Sequence, residues 1–274
     1  MNIIPPTQWS PTEHFLLRVA SWFDGTTLHM QPALIEIDRG RIVAIRADCD
    51  EAALPVLDAG ALSAAPTLVD SHVHCYLSAW PIDPDHRKSP GEKTFEVEVA
   101  DGLNRVAEMQ GNGIGAARDM GDPKLYNNAI RTRLAAAQSP FTLQSGGQGL
   151  FMPGRYGRFL GIAADPADLE KEVDRLAKVE KVDFIKLIPT GIINFSKGTV
   201  SAPPSYSVEQ ITAVVNRSHE YGLKVAAHCS GATGLDRCIG GKVDFIEHAY
   251  FGTRTHLEQM RDAGLHWTPT VIPV

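Results

Sequence analysis

The sequence is poor in cysteine and has neither a long hydrophobic run nor a cluster of basic residues. Its four cysteines form no CxxC pair, and a chain of 274 residues can bury a large core without disulfides. No apolar run reaches the ~18 residues that cross a bilayer. The opening segment MNIIPPTQWSPTEHF lacks the basic and apolar regions of an export signal. We therefore expect reduced thiols, no membrane association and a cytoplasmic protein.

The charge balance gives no sign of a polyanionic partner. Charged residues make up 21% of the chain and the net charge is −6, with Lys and Arg scattered along it. The 43% of hydrophobic residues is typical of a globular protein and argues against disorder. No GxGxxG motif follows a first strand, which argues against a dinucleotide-binding sheet. These absences favour a packed, enzyme-like domain that binds a small molecule and no nucleic acid.

Residues 1–64 are predicted to form a β-rich, sandwich-like subdomain. Short apolar runs in this part of the chain are separated by turn residues. Polar and apolar residues alternate in LIEID and RIVAI, on either side of Asp38, Arg39 and Gly40. This pattern predicts a β-hairpin with a glycine-containing turn.

Residues 65–274 alternate between apolar strand segments and segments of helical period. The seven strand segments are TLVDSHVH, GIGAARD, FTLQSGG, DFIKLIP, LKVAAH, VDFIEH and HWTPTVIP. Helical segments such as DPADLEKEVDRLAKVEK separate most of them. The alternation predicts parallel strands with crossover helices, and seven strands exceed half of a doubly wound sheet. We predict an α/β fold, a (β/α)8 TIM-type barrel with seven strands visible and the eighth missing from this chain.

Four of the ten histidines stand at or near the carboxyl ends of predicted strands, where barrel enzymes build their sites: His72, His74, His228 and His248. Residues two apart on a strand point to the same face, so His72 and His74 can bind one metal. Lys186 lies inside the apolar segment DFIKLIP, where an ammonium is strongly destabilised unless it is neutralised, paired or bound. The alternative is a lysine whose amine reaches the rim of the barrel.

The loop GGQGLFMPGRYGRFLG after the third strand is a candidate lid. Within it, Arg155 and Tyr156 are candidates to bind a substrate carboxylate, with a solvated loop as the alternative. Tyr206 is a candidate for the pocket wall.

Three residues beside the candidate ligands have no expected role in binding: Cys75, Cys229 and Glu247. Strand alternation points them away from the site. We expect the cysteines to pack in the core and Glu247 to form a structural salt bridge.

The strand segments and their flanks resemble the amidohydrolase superfamily, and within it the imidazolonepropionase-like and Xaa-Pro dipeptidase-like branch. The matching segments are VDSHVHC, GIGAARDMG, DFIKLIPTG, HEYGLKVAAHCSG and GGKVDFIEHAYF. The resemblance implies two divalent metal ions, with zinc the first choice, bound by His72, His74, Lys186, His228 and His248. It also implies that Lys186 is carboxylated and bridges the metals, and that a metal-bound hydroxide cleaves a C–N bond of a small molecule.

The same resemblance implies a general-base aspartate at the end of an eighth strand, which we expect beyond Val274. Neither Asp70 nor Asp119 is an obvious substitute, Asp119 being the first to test. The catalytic residue is therefore unassigned, and we expect this chain by itself to be inactive or nearly so.

Two alternative functions remain open at this stage. One is a mononuclear aminohydrolase that deaminates a heterocycle, and the other is a catalytically incomplete fragment that only binds metal. An open barrel also exposes unpaired strand edges, which favours pairing with another chain, for example as a homo-oligomer.

Overall fold

The computed structural model describes residues 14–49, 53–78 and 93–271 of the chain. Two compact units are present, Met1–Thr67 and Leu68–Val274, whereas the sequence placed the division after residue 64. The opening residues, from which an export signal was judged absent, lie mostly outside the described residues. No helix in the described part of the chain is both long and apolar enough to cross a membrane.

The first unit is built from short β-strands. They are β1 (Phe15–Val19), β2 (Ser21–Phe23), β3 (Leu28–His29), β4 (Ala33–Asp38), β5 (Arg41–Ala47), β6 (Val56–Asp58) and β7 (Ser63–Ala64). They form a four-stranded sheet in the order β5-β4-β1-β6 and a three-stranded sheet in the order β3-β2-β7. Leu16, Leu34 and Val56 pack together on one face of the larger sheet.

Strands β4 and β5 form the hairpin that the sequence predicts. They are antiparallel, and Asp38 lies opposite Arg41, so two residues make the turn. Arg39 and Gly40 have φ angles of 48° and 74°. Positive φ at both central residues is the requirement of a type I′ turn, whose twist matches that of the flanking strands.

The second unit alternates strands with helices. Its strands are β8 (Leu68–Val73), β9 (Ile114–Asp119), β10 (Thr142–Ser145), β11 (Gly149–Phe151), β12 (Gly161–Ala163), β13 (Phe184–Ile188), β14 (Ile193–Asn194), β15 (Thr199–Val200), β16 (Lys224–Cys229), β17 (Phe245–His248) and β18 (His266–Thr268). Its α-helices are α1 (Phe95–Gly111), α2 (Tyr126–Ala136), α3 (Leu169–Lys178), α4 (Val208–Glu220), α5 (Ala232–Gly240) and α6 (Arg254–Asp262). Each predicted strand segment overlaps one of these strands, namely β8, β9, β10, β13, β16, β17 and β18.

The long strands of this unit run parallel in two sheets. One sheet has the order β10-β9-β8 and the other the order β12-β11-β13-β16-β17-β18. Neighbouring strands in both sheets are parallel, as the predicted crossover helices require. Within the described residues β8 and β18 remain sheet edges, so the predicted barrel is not closed there.

The core of this unit explains which way each strand faces. Ile185 and Leu187 of β13 belong to the largest hydrophobic cluster, together with residues of α3 and α4. Side chains alternate along a strand, so Lys186 points to the opposite face, away from the helices. That face forms the wall of the candidate site described next.

Candidate metal centre

A cavity of about 660 Å³ lies at the carboxyl ends of the parallel strands, and all five predicted ligands line it. His72 belongs to β8, Lys186 to β13, His228 to β16 and His248 to β17, while His74 directly follows β8. Parallel strands deliver their last residues to one edge, which brings together positions that are far apart in the chain.

The imidazole rings form a continuous cluster. The ring centroids of His72 and His74 are 5.5 Å apart, those of His72 and His248 are 4.8 Å apart, and those of His228 and His248 are 4.6 Å apart. Lys186 is 1% exposed, and its Nζ has no hydrogen-bond partner among the described residues. A buried, unpartnered amine among four imidazoles is costly for stability and therefore points to a functional role.

The two histidines near the end of β8 each use one ring nitrogen to hold their orientation. Nδ1 of His72 donates to Oε2 of Glu247 at 2.7 Å. Nδ1 of His74 donates to the backbone carbonyl of Gly121 at 2.9 Å. Both bonds leave Nε2 with a free lone pair.

The remaining two histidines are held in a similar way by the loops after neighbouring strands. Nε2 of His228 donates to the carbonyl of Gly191 at 3.2 Å. Nδ1 of His248 lies 2.7 Å from the hydroxyl of Thr270. Each histidine of the cluster therefore has one nitrogen engaged by the protein and one available, which is the usual arrangement of metal-ligating histidines.

Glu247 departs from the expectation that it points away from the site. His248 has a φ angle of 75° and Ala249 one of 55°, so the period-two alternation fails at the end of β17. Glu247 lies on the same face of β17 as Phe245, two positions earlier, and reaches His72 from there. The positive φ at His248 turns that ring toward the cavity as well. A salt bridge is present as well, since Oε1 of Glu247 lies 3.8 Å from Nη1 of Arg118. Cys75 and Cys229 pack in hydrophobic clusters, as expected.

Burial shifts the site toward neutral side chains. It lowers the pKa of His228 to about 3 and holds the pKa values of His72, His74 and His248 below the usual range of histidine. Burial also lowers the pKa of Lys186 to about 8, although Glu247 opposes this shift. Neutral imidazole is the form that binds metals.

The donor set fits a divalent transition metal by its chemistry. Four neutral imidazoles, each with a free nitrogen, suit zinc, cobalt, manganese or iron. Within the described residues, no three His, Cys, Asp or Glu side chains are already arranged as a coordination sphere. The fit therefore rests on the available nitrogens and on the unpartnered amine of Lys186.

Only one of the three predicted substrate residues lies at the cavity. Tyr156 lines it, and its ring centroid is 5.1 Å from that of His228. Arg155 is exposed on the loop and is not part of the lining. Tyr206 is fully buried, and its hydroxyl donates to the carbonyl of Ala164 at 3.0 Å. Tyr206 is a core residue because it precedes α4 and packs beneath that helix.

An apolar wall of the cavity was missed in the sequence. It is formed by Phe159 and Tyr250 and by Ile192, Ile193 and Phe195 of the segment that follows β13. The rings of Phe195 and Tyr250 are 5.0 Å apart. The run GIINF directly after the Lys186 strand was the available signal, since apolar residues in a loop at this end of a barrel face the site.

Comparisons with known structures support a TIM-barrel-like α/β fold. The chain matches a Xaa-Pro dipeptidase with bound methionine at a TM-score of 0.80 and 21% identity, covering 94% of this chain and 66% of the other. A putative prolidase from Bifidobacterium longum matches at 0.73 and 22%, covering 94% and 61%. The ochratoxinase of A. niger matches at 0.70 and 16%, covering 94% and 65%. The chain thus spans roughly two thirds of the length of these proteins.

Sequence comparisons point to the same group of proteins. Curated protein sequences give no significant match. The profile of the Amidohydrolase family, however, matches residues 63–272, which include all five residues of the cluster. The chain therefore belongs to the amidohydrolase family.

Proposed function

We propose that the cavity binds two divalent metal ions and hydrolyses a C–N bond of an amide-type small molecule. The ligands are His72, His74, Lys186, His228 and His248. The observation that carries the proposal is the buried Nζ of Lys186, which has no partner among the described residues. Membership in the amidohydrolase family supports it.

Carboxylation of Lys186 gives this buried amine a role. The neutral amine adds to carbon dioxide and releases a proton, which forms a carbamate with one negative charge. Its oxygens supply the anionic ligand that the four imidazoles lack. Divalent ions bound there would lower the pKa of a water molecule and polarise the scissile carbonyl.

The other lining residues bind the substrate. Tyr156 lies beside His228 and closes one side of the cavity. Ile192, Ile193 and Phe195 provide apolar contact for the part of the substrate that does not react, and they exclude water from the histidine cluster. Dipeptides and N-acyl amino acids are the first substrates to test, because a Xaa-Pro dipeptidase is among the similar structures.

The decisive experiment counts metal ions. Metal-free protein is titrated with Zn²⁺, and we expect two equivalents for the wild type and fewer for Lys186→Met. Bicarbonate with a short carboxylic acid should restore part of the loss. Lys224→Met, at an exposed lysine of β16, is the matched control and should keep both equivalents.

Hydrolysis is then measured on a panel of dipeptides and N-acyl amino acids with each variant, and circular dichroism checks the fold. Two tightly bound zinc ions in a folded Lys186→Met variant would refute the bridging role of Lys186. A single equivalent in the wild type would instead favour the mononuclear aminohydrolase.

A further inference from the structure

His72 differs from His74 and His228 in the group that orients it. Those two donate to backbone carbonyls, whereas His72 donates to a carboxylate, Oε2 of Glu247, at 2.7 Å. The Glu247 side chain has 0% exposure and the His72 side chain 12%. A buried carboxylate is a strong and directional acceptor because no water competes for it.

A buried cation lies beside this carboxylate. Arg118 of β9 places Nη1 3.8 Å from Oε1 of Glu247, and its side chain is 13% exposed. The guanidinium lies over two aromatic rings, 4.8 Å from the centroid of Phe184 and 4.1 Å from that of Phe245. Cation–π contacts of this kind stabilise a desolvated guanidinium in one position.

The ion pair between Arg118 and Glu247 is not arranged in a way that favours folding. Nη2 of Arg118 and Oε1 of Glu247 are both buried, and neither has a hydrogen-bond partner within the described residues. Desolvating two charges is costly, and a buried ion pair offsets the cost only when its remaining donors and acceptors are satisfied. The bond from Glu247 to His72 therefore explains the pair better than a contribution to folding does.

We propose that Glu247 and Arg118 are positioning residues for His72. Glu247 holds the ring in the tautomer with the proton on Nδ1, so that the lone pair of Nε2 is directed into the cavity. Arg118 keeps the carboxylate in place and balances its charge. Neither residue belongs to the cavity lining in the described part of the chain, so both act through His72.

Such a carboxylate makes the histidine a better metal ligand. Metal-binding histidines commonly donate their other N–H to a carboxylate, and loss of that partner weakens metal binding by about 10- to 100-fold. This consequence rests on the metal site proposed above. The tautomer of His72 does not depend on that proposal and can be measured without metal.

The first test is ¹⁵N NMR of the histidine rings in the metal-free protein. We expect His72 to carry its proton on Nδ1 in the wild type and to lose that preference in Glu247→Leu. Glu247→Gln should keep it, because the amide oxygen still accepts. Asp244→Asn is the matched control: Asp244 also pairs with a histidine, His219, at 2.9 Å, but it lies just before the start of β17, away from the cavity.

The second test is zinc affinity, measured by competition with a chelator. We expect Glu247→Gln and Arg118→Met to bind zinc about 10-fold more weakly than the wild type, and Glu247→Leu up to about 100-fold more weakly. Asp244→Asn should bind as the wild type does. If Glu247→Leu does not fold, the zinc affinity of the isosteric variant Glu247→Gln provides the test.

Either of two results overturns the proposal. One is an unchanged His72 tautomer in a folded Glu247→Leu variant, and the other is wild-type zinc affinity in Glu247→Gln. If the wild type itself binds no zinc, the proposed metal function fails, and the tautomer measurement alone decides whether Glu247 orients His72.

Discussion

Oδ2 of Asp119 accepts a hydrogen bond from the backbone N–H of Cys75 at 2.7 Å. Its other oxygen accepts from the N–H of Gly121 at 3.0 Å and from Nδ2 of Asn127 at 3.1 Å. Asp119 is the first residue of this chain to test as a general base. With both oxygens engaged, it instead ties the segment after β8 to the end of β9.

We therefore expect Asp119→Asn to act on stability. In the variant one of the two accepting oxygens becomes an NH₂ group, which then faces N–H donors and cannot accept from them. The buried donors on that side lose their partner, and the free energy of unfolding falls by about 1–3 kcal/mol. Urea denaturation measures the change. Asp262→Asn, at an exposed residue of α6, is the control and should stay within about 0.5 kcal/mol. Unchanged stability together with abolished hydrolysis would instead make Asp119 the base.

Asp122 should make the stability of the protein depend on pH. Burial, and next the charge of Asp119, raise the pKa of Asp122 to about 7, although three backbone N–H groups oppose the shift. The folded chain thus holds this proton more tightly than the unfolded chain, whose aspartates titrate near about 3.9. The stabilisation is complete below that value and is lost as the pH rises through about 7.

Asp122→Asn removes this titrating group. Comparing the variant with the wild type therefore isolates the contribution of Asp122 to the pH dependence of stability. The free energy of unfolding of the variant, relative to the wild type, should rise between about pH 4 and pH 7 and then level off. Urea denaturation at a series of pH values tests this. A difference that is constant over the whole range would show that folding does not raise the pKa of Asp122.

Tyr206→Phe should affect the fold and not the site. The substitution removes only the hydroxyl that donates to Ala164 inside the core, so we expect a loss of about 1 kcal/mol in the free energy of unfolding. Zinc stoichiometry and KM for any substrate found in the panel should not change. A raised KM with an unchanged free energy of unfolding would show that Tyr206 contacts the substrate, as the sequence predicted.

Two glycines offer a matched pair that tests the packing around the Tyr156 loop. Gly161 of β12 faces Gly149 of β11, and a Cβ on it would overlap the backbone of Gly149. Gly161→Ala should cost about 3 kcal/mol or more, because neither strand can move aside. Gly111→Ala, in α1, meets nothing within 4 Å. It should stabilise by about 0.4–1 kcal/mol. Equal effects in thermal unfolding would contradict the tight approach of the strands.

Much of the fold was predictable because its signals are local. Alternation around Arg39 and Gly40 predicted a hairpin, and the structure has it at that turn. The apolar segments of the second unit predicted seven strands, each of which is present. Closure of a barrel depends on pairing between distant strands, which local periodicity does not encode. Within the described residues, the long parallel strands of the second unit lie in two separate sheets.

The sequence by itself determined which candidate ligands meet at the cavity, since parallel strands place His72, His228 and His248 at one edge wherever the loops run. Only the tertiary structure decided how each ring is turned. The partner of His72 is Glu247, 175 positions away, which lies on the same face of β17 as Phe245. A positive φ at His248 then turns the next ring toward the cavity. Period-two alternation counted back from His248 pointed Glu247 the other way, because the sequence does not show the backbone turn at His248. The positions of the strands follow from the local sequence pattern. The partners of their side chains depend on packing between distant residues, which the local pattern does not record.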